Sequence, residues 1–381
     1  MKELAFFMFR NHPMVELFFE NERLVAHKDL DYEAPIPHAN WVKGLTTPKL
    51  EEYILERRIS EGRSCRNEIY FGGKSLSKYQ EMKTYRGTDL DDECWIKYSD
   101  DVLFAERVLT SLGSSPKGNQ HKWEDRRYFY KQDKFLGEAM SEYLCSLFLQ
   151  ASNCPIPYIP YRLDSNPSVC KSPSYKPNFT FISFYSIVSR EVKKGNIDKV
   201  NSLERWEKLV WRGLSSIDKV EYVCSLFKKL GVSRNDTITY LTCMVELDTL
   251  VLNIDRHLNN FGVRYNRSRN SYEPMFLFDN GISLCVGSGI FGSLRDMRDT
   301  RKVKMQPFST SLRKNRSCLP EFRFAFDVIE FVKLLDSTNI YGKQFLRVST
   351  QFSVLKGRLA IVYKEDINGI NIMKYLEENG Y

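Results

Sequence analysis

Asp255 and Asn260 stand in a D-x-x-x-x-N spacing within Asn253-Ile254-Asp255-Arg256-His257-Leu258-Asn259-Asn260, and these residue types suit phosphoryl transfer. A carboxylate in such a loop can take the proton of an attacking hydroxyl, and an amide oxygen five residues on can ligate Mg²⁺. A charged metal ligand is also needed, and Asp279 in Phe278-Asp279-Asn280-Gly281 supplies one. Between them an apolar run at 261–265, a polar turn and a second apolar run at 275–278 read as a β-hairpin. A hairpin returns the chain to its start, so Asn260 and Asp279 would end side by side. The spacing by itself is weak, since Asp and Asn are common in loops; the hairpin and the closing Asp-Asn-Gly give it weight. His257 could act as a base, but in such a loop it more simply holds the backbone by hydrogen bonds beside a nucleotide. Asn259 reads as an outward neighbour, because the spacing selects Asn260.

Several elements must position these residues. The stretch 235–252 has helical periodicity, with Asn235 as candidate N-cap and Ile238, Leu241, Val245 and Leu252 as a stripe. It leads the chain straight into Asp255, and Asp248 within it reads as a satisfied buried group rather than a catalytic one. Upstream, residues 110–122 are rich in Gly and Ser beside lysines, the composition of a loop that holds phosphates through backbone N–H groups. The run 127–131 reads as a strand ending in Lys131, and 137–151 as a helix bearing Glu138 and Glu142 one turn apart on one face. Phosphate loop, strand lysine and helix carboxylate are the parts of a kinase N-lobe in order. Spacing does not choose between Glu138 and Glu142 as the partner of Lys131.

The rest of the chain frames these parts. Residues 1–45 alternate around Phe6 to Phe9 and Met14 to Phe19 as a small β unit, and a helix is expected over 50–58 after Thr47-Pro48. Residues 179–188 read as a last N-lobe strand running into the adenine-binding hinge. Helical patterns cover 206–214 and 219–230, and further helices are expected around 326–335 and 345–359. The segment from Gly281 to Ser311, with Arg295, Arg298, Arg301, Lys302 and Lys304, is a basic loop where an activation or docking segment would fall. The expected organisation is an N-terminal β-containing subdomain and linker (1–103), an N-lobe (104–188) and a helical C-lobe with the catalytic and metal loops (189–381).

At 381 residues the chain is long enough for two lobes with their own cores. No apolar run approaches the roughly 18–20 residues of a membrane span, and the N-terminal apolar run lacks a small-residue cleavage site. Nine cysteines are scattered singly without C-x-x-C or Cys/His clusters, which argues against zinc and against a disulfide framework and suits a reducing cytoplasm. The net charge of +8 is spread along the chain, so a phosphate-handling cleft accounts for it without a nucleic-acid surface.

Together, Gly118-Asn119-Gln120-His121-Lys122, Lys131, Ser141-Glu142-Tyr143-Leu144-Cys145, the Asp255 loop and Phe278-Asp279-Asn280-Gly281 resemble the HipA-like serine/threonine kinases, including the CtkA-like branch. The resemblance covers roughly residues 105–360. It implies an α+β, two-lobed protein-kinase-like fold with a β-rich N-lobe and an all-helical C-lobe, and Mg-ATP-dependent phosphorylation of a protein Ser or Thr hydroxyl. By the resemblance Asp255 is the base, Asn260 and Asp279 are the Mg²⁺ ligands, Lys131 clamps the α- and β-phosphates, and Glu142 is the helix carboxylate. Gly118, Asn119, Gln120 and His257 fall on the nucleotide side, and Ser115 matches the serine that family members phosphorylate in their phosphate loop, with Ser114 and Ser111 as alternates. Some members are toxins paired with a small DNA-binding antitoxin, a partner implied by the resemblance alone. The chain departs from eukaryote-like kinases: Asp-Asn-Gly replaces D-F-G, and H-R-D, A-P-E and G-x-G-x-x-G are absent. Because D-R-H-x-x-N also resembles phosphoinositide kinases, a lipid kinase is the competing reading, and a nucleotide-binding scaffold without transfer activity is a third.

Overall fold

A computed structural model describes residues 2–58, 68, 71–88, 93–99, 120–125, 127–175, 178–197, 200, 202–286 and 303–381. The first sheet is made by β1 (Lys2–Phe9), β2 (His12–Glu20), β3 (Arg23–Asp29) and β4 (Cys94–Tyr98), antiparallel in the order β3-β2-β1-β4. Asn21 and Glu22 both take positive φ, 49° and 65°, the geometry of a type I′ turn that matches the twist of a tight hairpin. Helices α1 (Thr47–Leu55) and α2 (Lys78–Tyr85) accompany this sheet, α2 starting from a Ser77–Gln80 capping box.

A second antiparallel sheet, ordered β5-β6-β8-β7, comprises β5 (Lys122–Glu124), β6 (Tyr128–Gln132), β7 (Arg162–Leu163) and β8 (Val169–Pro173). Its register sets Lys122 opposite Lys131. Alternation along β6 turns Phe129 and Lys131 towards one cavity. Helix α3 (Glu138–Gln150) follows, and every residue from Glu138 to Leu149 is buried. It packs against β7 and β8 on one side and later helices on the other, as expected of a helix apolar on nearly all faces. Its polar residues are satisfied: Ser141 Oγ donates to Ser283 O at 3.0 Å, and Ser146 Oγ accepts from Tyr161 N at 3.2 Å.

The strand expected over 179–188 is corrected by the structure. β9 (Phe179–Ser183) ends where Ser183 Oγ caps α4 (Phe184–Lys193) by accepting from Ser186 N. β9 pairs with β10 (Gly262–Asn266), which pairs with β11 (Ser271–Pro274), so it belongs to the hairpin sheet and not to the sheet of Lys131. The reason is Gly262, where a Cβ would lie 2.1 Å from the Ile182 carbonyl oxygen; only glycine permits so close an approach. The hairpin itself forms as expected, but its second strand is 271–274 rather than 275–278, since the polar residues before Met275 complete the ladder to Asn266.

Helices α5 (Leu203–Leu209), α6 (Ser216–Lys229) and α7 (Arg234–Val251) come next. The cap of α7 is Ser233, whose Oγ accepts from Asp236 N at 3.0 Å, and not Asn235, which lies in the first turn. Beyond the hairpin run α8 (Leu312–Ser317), α9 (Val328–Thr338), α10 (Gly342–Val348), α11 (Thr350–Val362) and α12 (Ile372–Glu378). Ser349 separates α10 from α11 and caps the latter, dividing the stretch expected around 345–359. The first sheet is braced against the hairpin side of the molecule: Arg267 meets Glu93 at 2.7 Å, Lys193 meets Glu56 at 2.8 Å, and Arg190 lies over the Trp41 ring at 4.5 Å. No helix among the described residues is long and apolar enough to cross a membrane.

Candidate active site

A cavity of about 400 Å³ opens between the β5–β8 sheet and the hairpin. Phe129, Ile159, Tyr175, Phe179, Phe181 and Met275 line one part of it, and Lys122, Lys131, Asp255, Asn260 and Asp279 another. An aromatic slot continuous with a charged pocket suits a ligand with a flat apolar base and a polyanionic tail.

Lys131, on β6, is 3 % exposed. Its Nζ donates to Glu142 Oε1 at 2.6 Å and to Asp279 Oδ1 at 2.7 Å, so three separate parts of the chain meet at one ammonium. The other oxygen of Glu142 accepts from Asn280 N at 2.9 Å. Glu138 acts elsewhere, its Oε2 accepting from the backbone N–H of Lys134 and from Phe135 N at 2.9 Å. Asp133 closes the same turn, taking Gly137 N at 2.8 Å and Ala139 N at 2.6 Å. Glu138 thus fixes the β6–α3 connection and Glu142 faces Lys131.

Burial sets the electrostatics and charge pairing modifies it. Burial would strip the proton from Lys131, but Asp279 and Glu142 outweigh it and hold the ammonium well above the ordinary lysine range. Glu142 is pushed up by burial even against the attraction of Lys131. Burial would also raise Asp279, yet Lys131 and Lys122 overcome it and keep that carboxylate below its usual range. Asp255 is raised, by burial first and by the charge of Asp279, with His257 opposing.

The Asp255 loop begins where α7 ends in a left-handed Leu252, φ 56°. His257 N donates to Asp255 O at 2.8 Å, and its Nδ1 accepts from Asn259 N at 3.2 Å, which leaves the Nε2 side of the ring for other contacts. Asn260 Nδ2 donates to Asp255 O at 2.9 Å, so its Oδ1 is the atom left to face a ligand. Asn259 lines the cavity and accepts from Ser183 Oγ at 3.2 Å, which corrects its reading as an outward neighbour: the β9 partner strand brings Ser183 to it. Gln120 also lines the cavity. Ser115, Gly118 and Asn119, with Ser111, Ser114 and the basic segment 287–302, lie outside the described residues.

One amide oxygen and one carboxylate are hard donors suited to Mg²⁺. Among the described residues no group of three or more His, Cys, Asp or Glu side chains could hold a metal. A cation at Asn260 and Asp279 would therefore need further oxygens from its companion ligand, as phosphate chains provide. The residues present fit a magnesium nucleotide in that sense.

Sequence reading took Asp248 as a satisfied buried group, as it is, but missed the residues that satisfy it beneath this surface. Arg256, 1 % exposed, reaches Asp248 from Nη2 at 2.8 Å and from Nε at 3.0 Å. Its guanidinium also donates to Asn260 O at 3.0 Å, Phe278 O at 2.5 Å and Asn280 Oδ1 at 2.8 Å. Asn253 donates to Asp248 Oδ1 at 3.1 Å and accepts from Asp255 N at 3.0 Å. The available signal was Arg256 itself, a guanidinium with five donors placed between two loops that must be held together.

No protein-family profile matches the chain, and no curated protein matches it. Among solved structures it is similar to the Helicobacter pylori proinflammatory kinase CtkA, with 13% identity and a TM-score of 0.39 over 64% of this chain and 88% of that one. It is also similar to HipA of Shewanella oneidensis MR-1, solved in the complex of HipA, HipB and operator DNA, with 10% identity and a TM-score of 0.48 over 99% of this chain and 95% of that one.

Proposed function

We propose that this chain is a Mg-ATP-dependent kinase that moves the γ-phosphoryl group to a protein Ser or Thr hydroxyl. The observation that carries the reading is the meeting of Lys131, Glu142 and Asp279 beside a cavity that several aromatic side chains also line. Mg-ATP would supply the electrophilic phosphorus and the charge that offsets its oxygens. Lys131 would give its ammonium to phosphate oxygens while Glu142 keeps hold of it. Asn260 and Asp279 would hold the cation. Asp255 would orient the substrate hydroxyl and receive its proton, a role for which a carboxylate raised above its ordinary range is better matched near neutral pH. Ser115 is proposed as a site of autophosphorylation, where added negative charge would oppose nucleotide phosphates.

The test is to incubate the purified protein with γ-labelled ATP and Mg²⁺, alone and with candidate proteins and lipid vesicles, and to map the modified residue by mass spectrometry. Label in protein, lost in Asp255→Asn, supports the reading. Label in lipid alone would move it to a lipid kinase, and binding without label in any arm would leave a nucleotide-binding scaffold.

A further inference from the structure

Resting on that reading, we infer that Asp248 is a positioning residue for the metal: through Arg256 and Asn253 it sets the placement of Asn260 and Asp279. Asp248 is 0 % exposed and lies in the last turns of α7, away from the cavity lining. Its carboxylate orients two donors, the Arg256 guanidinium and the Asn253 amide. Those two groups reach both loops of the site. Arg256 holds the carbonyl of Asn260 at one end of the hairpin and the carbonyl of Phe278, the residue before Asp279, at the other. It holds the Asn280 side chain on the far side of Asp279. Asn253 donates to the carbonyl of Asp279 itself at 3.4 Å. Every bond from these two donors to the site loops ends on backbone or on a neighbour of the two metal-side residues, and none ends on a side chain of the aromatic slot. Loss of the anchor should therefore weaken the metal and spare the base pocket.

The experiment compares the parent with the double variant Asp248→Asn/Arg256→Gln, a neutral and still hydrogen-bonding pair that avoids leaving one charge buried alone. Two quantities are read: affinity for adenosine, which has no phosphates and needs no metal, and the Mg²⁺ concentration that half-saturates binding of a non-hydrolysable ATP analogue. The expected result is unchanged adenosine affinity and a Mg²⁺ requirement raised about 10-fold or more, the range for lost support behind a metal ligand. Asn280→Ala, which keeps the Asp248–Arg256 pair and removes one of its contacts, should shift Mg²⁺ the same way by less, and it serves if the double variant does not fold. A folded variant with normal adenosine binding and the parent's Mg²⁺ requirement overturns the inference and leaves the kinase reading standing. A parent that shows no Mg²⁺-dependent binding of the analogue overturns both.

Discussion

Two buried ion clusters lie within one site and are built on opposite plans. At Lys131 one cation faces two carboxylates, the ammonium donates to side chains alone, and the Asp279 side chain keeps 19% exposure towards the cavity. At Arg256 one cation faces one carboxylate, both fully buried, and the remaining donors are spent on two carbonyls and an amide oxygen. The first can exchange partners when a polyanion and a cation arrive; the second has nothing left to exchange. A cluster with unbalanced charge and an opening is suited to binding, while a balanced and saturated one is suited to holding shape.

The largest effect expected on the binding side is chemical. Asp255→Asn should cost about 10²–10⁴-fold in transfer while nucleotide binding and melting temperature stay near the parent's, because an amide can still orient a hydroxyl but cannot take its proton. Turnover near the parent's would move the base assignment to His257. On the holding side the effect should appear in stability. Arg256→Met leaves Asp248 buried without its cation, a loss of about 3–5 kcal/mol, read by chemical denaturation.

Lys131→Met sharpens the contrast. It should abolish transfer, yet destabilise less than Arg256→Met, since the Asp279 side chain keeps 19% exposure and can turn to water, whereas Asp248 is fully buried. Asp279 has its pKa depressed by the lysine, so the pair's contribution is present above the unfolded carboxylate range and lost as pH falls. The stability gap between parent and Lys131→Met should accordingly narrow towards acid. A gap that stays constant from neutral to acid pH would mean that the lysine's charge is not what stabilises the cluster. A smaller loss, about 1–3 kcal/mol, is expected for Gly262→Ala, whose added methyl would press on the Ile182 carbonyl and part β10 from β9.

What the sequence made legible follows from the range of the forces involved. The helix leading into Asp255, the hairpin after Asn260 and the strand-to-helix step from Lys131 to Glu142 are local, and periodicity reports them. The partner of β9 is not local; nothing in the alternation of 179–183 states which strand lies beside it, and the clue was a lone Gly262 far along the chain. The division of labour between Glu138 and Glu142 was hidden from the spacing, and only the resemblance selected Glu142, because it depends on how residues 133–137 turn and which amides they leave to be satisfied. The N-cap of α7 was missed by two residues because Ser233 and Asn235 are both competent caps, and Asp236 in the first turn favours the earlier one.

The subtlest prediction separates two carboxylates of the same cavity by their titration. Burial and the charge of Asp279 raise Asp255, whereas Lys131 and Lys122 hold Asp279 below the ordinary range despite its burial. A base works only when ionised, so transfer should fall as pH drops through the raised pKa of Asp255, above the usual carboxylate value of about 4. A metal ligand must also be ionised, but Asp279 keeps its charge to lower pH. Transfer of labelled phosphate should therefore fail at a higher pH than Mg²⁺-dependent binding of a non-hydrolysable ATP analogue, with both measured over the same buffers. In Asp255→Asn the residual transfer should lose that acid limb and follow the binding curve instead. Were the two limbs of the parent to coincide, the environments of Asp255 and Asp279 would not differ as their neighbours dictate, and the division of roles between base and metal ligand would have to be redrawn.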